Sequence, residues 1–306
     1  MTAGRPLAIA LALLLAGCAD HTEVRLAGAS GLYVDCRGKP SAAPTVILEA
    51  GAFGASTDWD LVLGDLAKGG RACAYDRGGV GRSPGRAGGA DTVAIANELS
   101  ELLDQLGERR PVILVGHSNG ALYAETFAAL WPHNVAGLVY VQGVTSDDLD
   151  HPELIADLSQ ERRLADLAAA AGDMGLGSAV SGILADQIGF TGPAAKRKQL
   201  DMADPAALHV ARDEDRAVID GLAAARKLGG SPPAIPTAVI TGSTEPGSAL
   251  YQAWRAAETA PAARAKRSWV LEIPGATHTS PLARDRAYVV AAVNWLRAMP
   301  QTSISP

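Results

Sequence analysis

Gly116-His117-Ser118-Asn119-Gly120 sets a serine between two glycines, after the aliphatic run Val112–Val115 and before the helical run Ala121–Trp131. A serine hydroxyl is a weak nucleophile until a neighbouring base takes its proton during attack. A tight strand-to-helix turn supplies the geometry for that attack. It forces the serine into a strained backbone conformation, projects the hydroxyl from the sheet edge and leaves a helix N-terminus beneath it to favour negative charge. The glycines two before and two after remove side chains that would clash in such a turn. The pentapeptide alone is common by chance, and its position between strand and helix is what makes Ser118 the candidate nucleophile.

A base must come from elsewhere in the chain. Of the six histidines, His278 follows the strand signal Trp269–Ile273 and the pair Pro274-Gly275, and precedes the last helical segment. His117 neighbours the serine, His133 ends a helix, His151 and His209 lie in a helical stretch, and His21 lies near the N-terminus; for these five a structural or surface role is the simpler reading.

The elements that must position these residues alternate from about 30 to 145. Thr45–Glu49, Val112–Val115 and Val135–Val141 are apolar and rich in β-branched residues, as buried strands are. Between them, Thr92–Leu106 has helical spacing of Val93, Leu99, Leu102, Leu103 and Leu106, with Asp91 as N-cap and Gly107 as stop. This rhythm predicts an α/β fold with a mostly parallel, twisted sheet flanked by helices. From 146 to 233 the strand signal stops, and helical segments at 152–171, 194–203 and 205–228 predict an inserted helical lid. Thr237–Thr241 and Trp269–Ile273 resume the strands, and a last helix over 281–298 would open with Ser280 as N-cap and Pro281 behind it.

In these segments the chain resembles the α/β-hydrolase fold family, over nearly its whole length beyond the N-terminal leader. Ile47-Leu48-Glu49-Ala50-Gly51-Ala52-Phe53-Gly54 is similar to the family's loop after strand three, with Ala50 where histidine is usual. Asp76-Arg77-Gly78-Gly79-Val80-Gly81-Arg82-Ser83 is similar to its glycine-rich loop after strand four, which we read as structural. The resemblance implies that the backbone N–H groups of Ala52 and Asn119 form an oxyanion hole, where each donor is worth a few kcal/mol. It implies His278 as base and, for the acid, a residue shortly after strand seven. Glu245 in Gly242-Ser243-Thr244-Glu245 fills that place. The family's other acid position, at the end of strand six, holds the uncharged Gln142, with Asp147 and Asp148 close behind as alternatives. Epoxide-hydrolase and haloalkane-dehalogenase chemistry is disfavoured, because those relatives carry Asp at the elbow.

The N-terminus reads as a leader. Arg5 precedes ten apolar residues, Leu7–Ala16, too few to span a bilayer and suited to a signal peptide. Leu15-Ala16-Gly17-Cys18 resembles the lipobox of bacterial lipoproteins. This implies a signal over 1–17, a lipid anchor on Cys18 and an exported, membrane-anchored chain. Ala19 after that cysteine leans towards the outer membrane in Gram-negative sorting. The core would then comprise 18–145 and 234–306, with the lid at 146–233. Cys36 and Cys73 fall on strands two and four, neighbours in this family's sheet, so they could form a disulfide or remain buried thiols.

Of the 306 residues, 48% are hydrophobic and 20% charged, ample for a large core. The net charge of −6 and the scatter of 27 Lys and Arg argue against nucleic acid as partner. No paired His or Cys has metal-ligand spacing, and no cofactor is implied. The expected activity is cleavage of a small-molecule carboxylic ester through a Ser-His-acid triad and an acyl-enzyme. An amidase, a lactonase or a cofactor-free perhydrolase would use the same residues. A non-catalytic binding lipoprotein would be marked by a missing triad member. The apolar candidates for the lid's pocket are Met174, Ile183, Leu184, Ile188, Phe190 and Met202. The oligomeric state is not legible.

Overall fold

The structure, a computed structural model, describes residues 21–25, 31–86, 89–179, 181, 190 and 192–300. The leader over 1–17 and Cys18 lie outside the described residues, as do Ile183, Leu184 and Ile188.

Eight strands form one sheet: β1 (His21–Arg25), β2 (Tyr33–Arg37), β3 (Val46–Glu49), β4 (Ala72–Tyr75), β5 (Val112–His117), β6 (Val135–Val141), β7 (Thr237–Ser243) and β8 (Ser268–Pro274). Their order is β1-β2-β4-β3-β5-β6-β7-β8. The β1–β2 and β2–β4 pairs are antiparallel, and every pair from β4 to β8 is parallel. In a strand, successive side chains face opposite sides, and here both sides are core. On one face Val46, Leu48, Ile113, Val115, Val139, Val141, Ala238 and Ile240 pack against α1 (Asp60–Leu66) and α8 (Ala287–Arg297). On the other, Ile47, Cys73, Val112, Leu114, Leu138, Tyr140 and Val239 pack against α2 (Thr92–Leu106) and α3 (Asn119–Leu130). Burying each Val, Ile or Leu contributes about 1.5–3 kcal/mol, so the central strands hold the site on a stiff base.

The cap of α2 is as its sequence predicts. Asp91 accepts hydrogen bonds from the N–H groups of Val93 and Ala94, and Gly107 ends the helix at φ +70°. The final helix starts later than expected. Ser280 and Pro281 open a single 3-10 turn over Ser280–Leu282, and the helix proper begins at Ala287. The chain turns there because Ser280 is engaged locally: its carbonyl accepts from the N–H groups of Ala283 and Asp285, and its hydroxyl accepts from Thr277 N–H. Two helices had no counterpart in the sequence reading: α1, and α7 (Ala249–Arg264), which carries Pro261 inside it.

The described residues between β6 and β7 hold the helices α4 (Pro152–Asp173), α5 (Gly192–Ala203) and α6 (Pro205–Lys227). Leu158 of α4 and Val218 and Leu222 of α6 bury against Leu122 of α3, which seats this layer over the C-terminal edge of the sheet. Cys36 and Cys73 face each other in the β2–β4 register and are joined as a disulfide. Among the described residues no helix is long and apolar enough to cross a membrane.

Candidate active site

Ser118 sits between β5 and α3 at φ +53° and ψ −128°, a conformation that L-residues rarely adopt. Glycine neighbours permit it. A Cβ on Gly116 would lie 2.4 Å from the Gly120 carbonyl oxygen, and one on Gly120 would lie 2.4 Å from that of Glu49. The turn is tied to the next strand by Ser118 N–H donating to Val141 O (3.2 Å) and by Val144 N–H donating to Ser118 O (3.1 Å). The hydroxyl-bearing residue is therefore fixed by backbone on both sides.

Ser118 and His278 line the same cavity, about 430 Å³ in volume, together with Gln142 and Glu245. His278 comes from the loop after β8. Its backbone carbonyl accepts a hydrogen bond from His117 Nε2 (2.8 Å), and the two rings stand 4.6 Å apart. His117 thus holds the loop that carries His278; its burial and the neighbouring His278 push its own pKa well down.

Behind His278 stands Gln142. Its Oε1 lies 3.2 Å from His278 Nδ1, while its Nε2 donates to Thr277 O at 3.3 Å. Because the amide nitrogen is committed to a carbonyl, the oxygen is the end that meets the ring. Nδ1 must then carry the proton and donate it, which leaves Nε2 free to accept one. Gln142 is held in this pose at φ +42°, its own N–H donating to Ile240 O (2.8 Å).

Glu245 does not take the place expected of it. Ser243 Oγ accepts from Glu245 N–H (2.8 Å), and the Glu245 side chain remains exposed at the cavity edge. The alternatives are engaged elsewhere. Asp147 pairs with Arg264 through both oxygens (2.7 and 2.8 Å). Asp148 is buried in the capping box of Thr145. His278 thus has a neutral orienting partner. Its ring is exposed to the cavity yet walled by protein elsewhere, and that surrounding mass lowers its pKa to about 4 with no carboxylate offsetting the shift.

Ala52 lies in the loop between β3 and Ser56, and Asn119 opens α3 directly after Ser118. Gly51 lets that loop approach the elbow, since a Cβ there would lie 2.8 Å from Ser118 Cβ. The Asn119 side chain donates to Asp215 of α6 (2.9 Å). Ala50, where histidine is usual in the family, is buried, and its carbonyl accepts from Arg77 (2.6 Å).

Arg77 is the hub of this region. It is 1% exposed, donates to Ala50 O and Gly51 O, and pairs with Glu49 of β3 and Glu214 of α6, each at 2.8 Å. A second buried pair, Lys198 of α5 with Asp58 (2.8 Å), also donates to Phe53 O (2.5 Å). The helical layer is thereby latched to the loop after β3 at two points.

The cavity walls differ from the expected apolar lid. Met174 is exposed, Met202 is buried away from the cavity, and Phe190 joins the core beneath β3. The walls come instead from Asp157 and Glu161 of α4 and from Leu250, Tyr251, Trp254 and Glu258 of α7. No motif signalled the α7 residues, because what selects them is a helix face that the sequence reading did not recognise. His209 pairs with Asp173 (2.7 Å) and His151 with Glu153 (3.7 Å), neither at the cavity. Among the described residues no group of three or more His, Cys, Asp or Glu is placed to hold a metal ion.

Residues 46–292 match the alpha/beta hydrolase family. The chain belongs to that family. An "AB hydrolase superfamily protein" of Gibberella zeae is 32% identical over 131 residues, which is 40% of each chain. A Stutzerimonas stutzeri protein named "Putative carbamate hydrolase RutD" is 36% identical over 105 residues, 34% of this chain and 39% of that one. The similarity thus spans about two fifths of these relatives' length. Among solved structures, the epoxide hydrolase CorEH without ligand superposes with a TM-score of 0.66 at 18% identity, covering 90% of this chain and 97% of that one. This likeness shows the fold.

Proposed function

We propose that this alpha/beta hydrolase is a serine hydrolase that cleaves a carboxylic ester. Ser118 Oγ attacks the carbonyl carbon while its proton passes to His278 Nε2. The N–H groups of Ala52 and Asn119 receive the oxyanion. The C–O bond breaks, the alcohol leaves with the proton from His278, and an acyl-enzyme remains. Water then gives its proton to His278, attacks the acyl carbon and releases the acid and free Ser118. In this reading Gln142 is a positioning residue that sets the His278 tautomer, in the place a charged carboxylate would take, and Glu245 is a wall of the cavity.

The observation that carries the reading is the proton placement set by Gln142: with Nδ1 donating to the amide oxygen, Nε2 is unprotonated in the ring that shares a cavity with the strained serine. Ser118→Ala should abolish both hydrolysis of a short nitrophenyl ester and labelling by a fluorophosphonate. Undiminished activity in that variant overturns the assignment.

The neutral partner of His278 also favours a second reading, a binding protein that keeps the fold without turnover. Absence of fluorophosphonate labelling in the wild-type chain would decide for it. Carbamate, which appears in the name of the Stutzerimonas stutzeri relative, offers the same kind of carbonyl, as do amides, lactones and peracids, and a substrate panel separates them. We further propose export and anchoring through Cys18, on the strength of the lipobox-like leader. The Cys36–Cys73 disulfide fits an oxidising compartment.

A further inference from the structure

The wall of the cavity facing Ser118 is unusual in its charge. Asp157, Glu161, Glu245 and Glu258 all line it, and among the described residues no Lys or Arg does. Three of these carboxylates reach the cavity from partly or fully exposed positions, but Glu258 is 5% exposed. Its Oε2 is buried and has no hydrogen-bond partner among the described residues. Its side chain has Thr241 as hydrogen-bond partner, and burial lifts its pKa to about 8, so with no cation beside it Glu258 is protonated near neutral pH and carries its charge above that value. A buried carboxylate without a counter-charge is costly, and a cation in the cavity beside it would offset that cost. Beside it stands Trp254, whose indole N–H donates to Asp157 Oδ2 (3.3 Å) and whose ring borders the same space. Aromatic faces and carboxylates together are the chemistry that receives an organic cation.

We propose that this wall is a subsite for an ammonium group, so that the substrate is an ester carrying an alkylammonium. The cation sits among Glu258, Asp157 and the Trp254 ring while the carbonyl lies at Ser118. The inference rests on the serine hydrolase reading for the reacting carbonyl, and on the cavity walls alone for the cation.

The test compares two nitrophenyl esters of equal shape, a trimethylammoniobutanoate and its carbon isostere, a dimethylhexanoate. Above pH 8, where Glu258 is ionised, wild-type enzyme should favour the cationic ester by about tenfold or more in kcat/KM, chiefly through KM, the size of one good cation contact. Glu258→Gln should collapse that ratio, and the milder Asp157→Asn, at a partly exposed site, should reduce it. In parallel, calorimetric titration of Ser118→Ala with butyltrimethylammonium reads the subsite without turnover. Saturable binding, weakened about tenfold by adding Glu258→Gln, supports the proposal even if neither ester is cleaved, an outcome that would remove only the hydrolase reading. Equal kcat/KM for the two esters, or ammonium binding that is absent or indifferent to Glu258→Gln, overturns the subsite and leaves the hydrolase reading standing.

Discussion

Gln142 Oε1 lies 3.2 Å from His278 Nδ1, so the position behind the imidazole is held by a neutral amide. An amide oxygen sets tautomer and ring orientation as a carboxylate does. It gives the imidazolium formed during attack far less stabilisation.

Gln142→Glu should therefore raise kcat for ester cleavage by about tenfold or more, as a charge beside the ring lifts its pKa by roughly 1–3 units. The cost is the hydrogen bond to Thr277 O, about 1 kcal/mol of stability. The pH profile checks the cause. His278 works as a base when neutral, so activity is present above its pKa and is lost as pH falls through it. The lowered pKa places the acid limb of kcat/KM below 6.5, towards about 4. In Gln142→Glu the limb should move to higher pH.

Glu245→Gln should change kcat by less than about threefold, whereas loss of a triad carboxylate costs about 10⁴-fold. Steady-state rates on a neutral ester decide this. A fall of a hundredfold or more would return Glu245 to the role of orienting acid.

Gly51→Ala should lower kcat by about 10²-fold while the protein stays folded. The new methyl would meet Ser118 Cβ at 2.8 Å and His117 O at 3.1 Å, and a displacement of that order at the nucleophile misaligns attack. Circular dichroism beside the kinetics separates misalignment from unfolding.

Replacing both Cys36 and Cys73 by alanine should lower the unfolding free energy by about 2–4 kcal/mol, the expectation for a cross-link closing a loop of this length, its ends 37 positions apart in sequence. Urea titration of the wild type with and without dithiothreitol should show the same loss.

The parts of the site that local sequence determines were legible before the structure. Ser118 is defined by its own glycines, strand and helix, all within a dozen residues, and α2 by Asp91 and Gly107. The Cys36–Cys73 proximity needed only the strand order. Glu245 misled because spacing from β7 says where a residue stands in the chain but not where its side chain goes; the Ser243 hydroxyl captures its N–H and turns the segment. Gln142 was recognised as occupying an acid position and set aside for lacking charge. Its role depends on Thr277, 135 residues away, claiming its amide nitrogen. The cavity walls were the least legible. α7 carries Pro261 and a weakly amphipathic, alanine-rich sequence, so the face bearing Trp254 and Glu258 emerges only when the helix packs against β7 and β8.

Arg77 and Lys198 have a consequence for how substrate reaches Ser118. Swinging α5 or α6 outward would part Arg77 from Glu214 or Lys198 from Asp58, and breaking a buried pair costs about 3–5 kcal/mol. These helices are held to the core, and the cavity itself is bordered by α4 and α7. Turnover should then track the concentration of dissolved monomeric ester, with no jump in rate as the substrate passes into micelles or droplets.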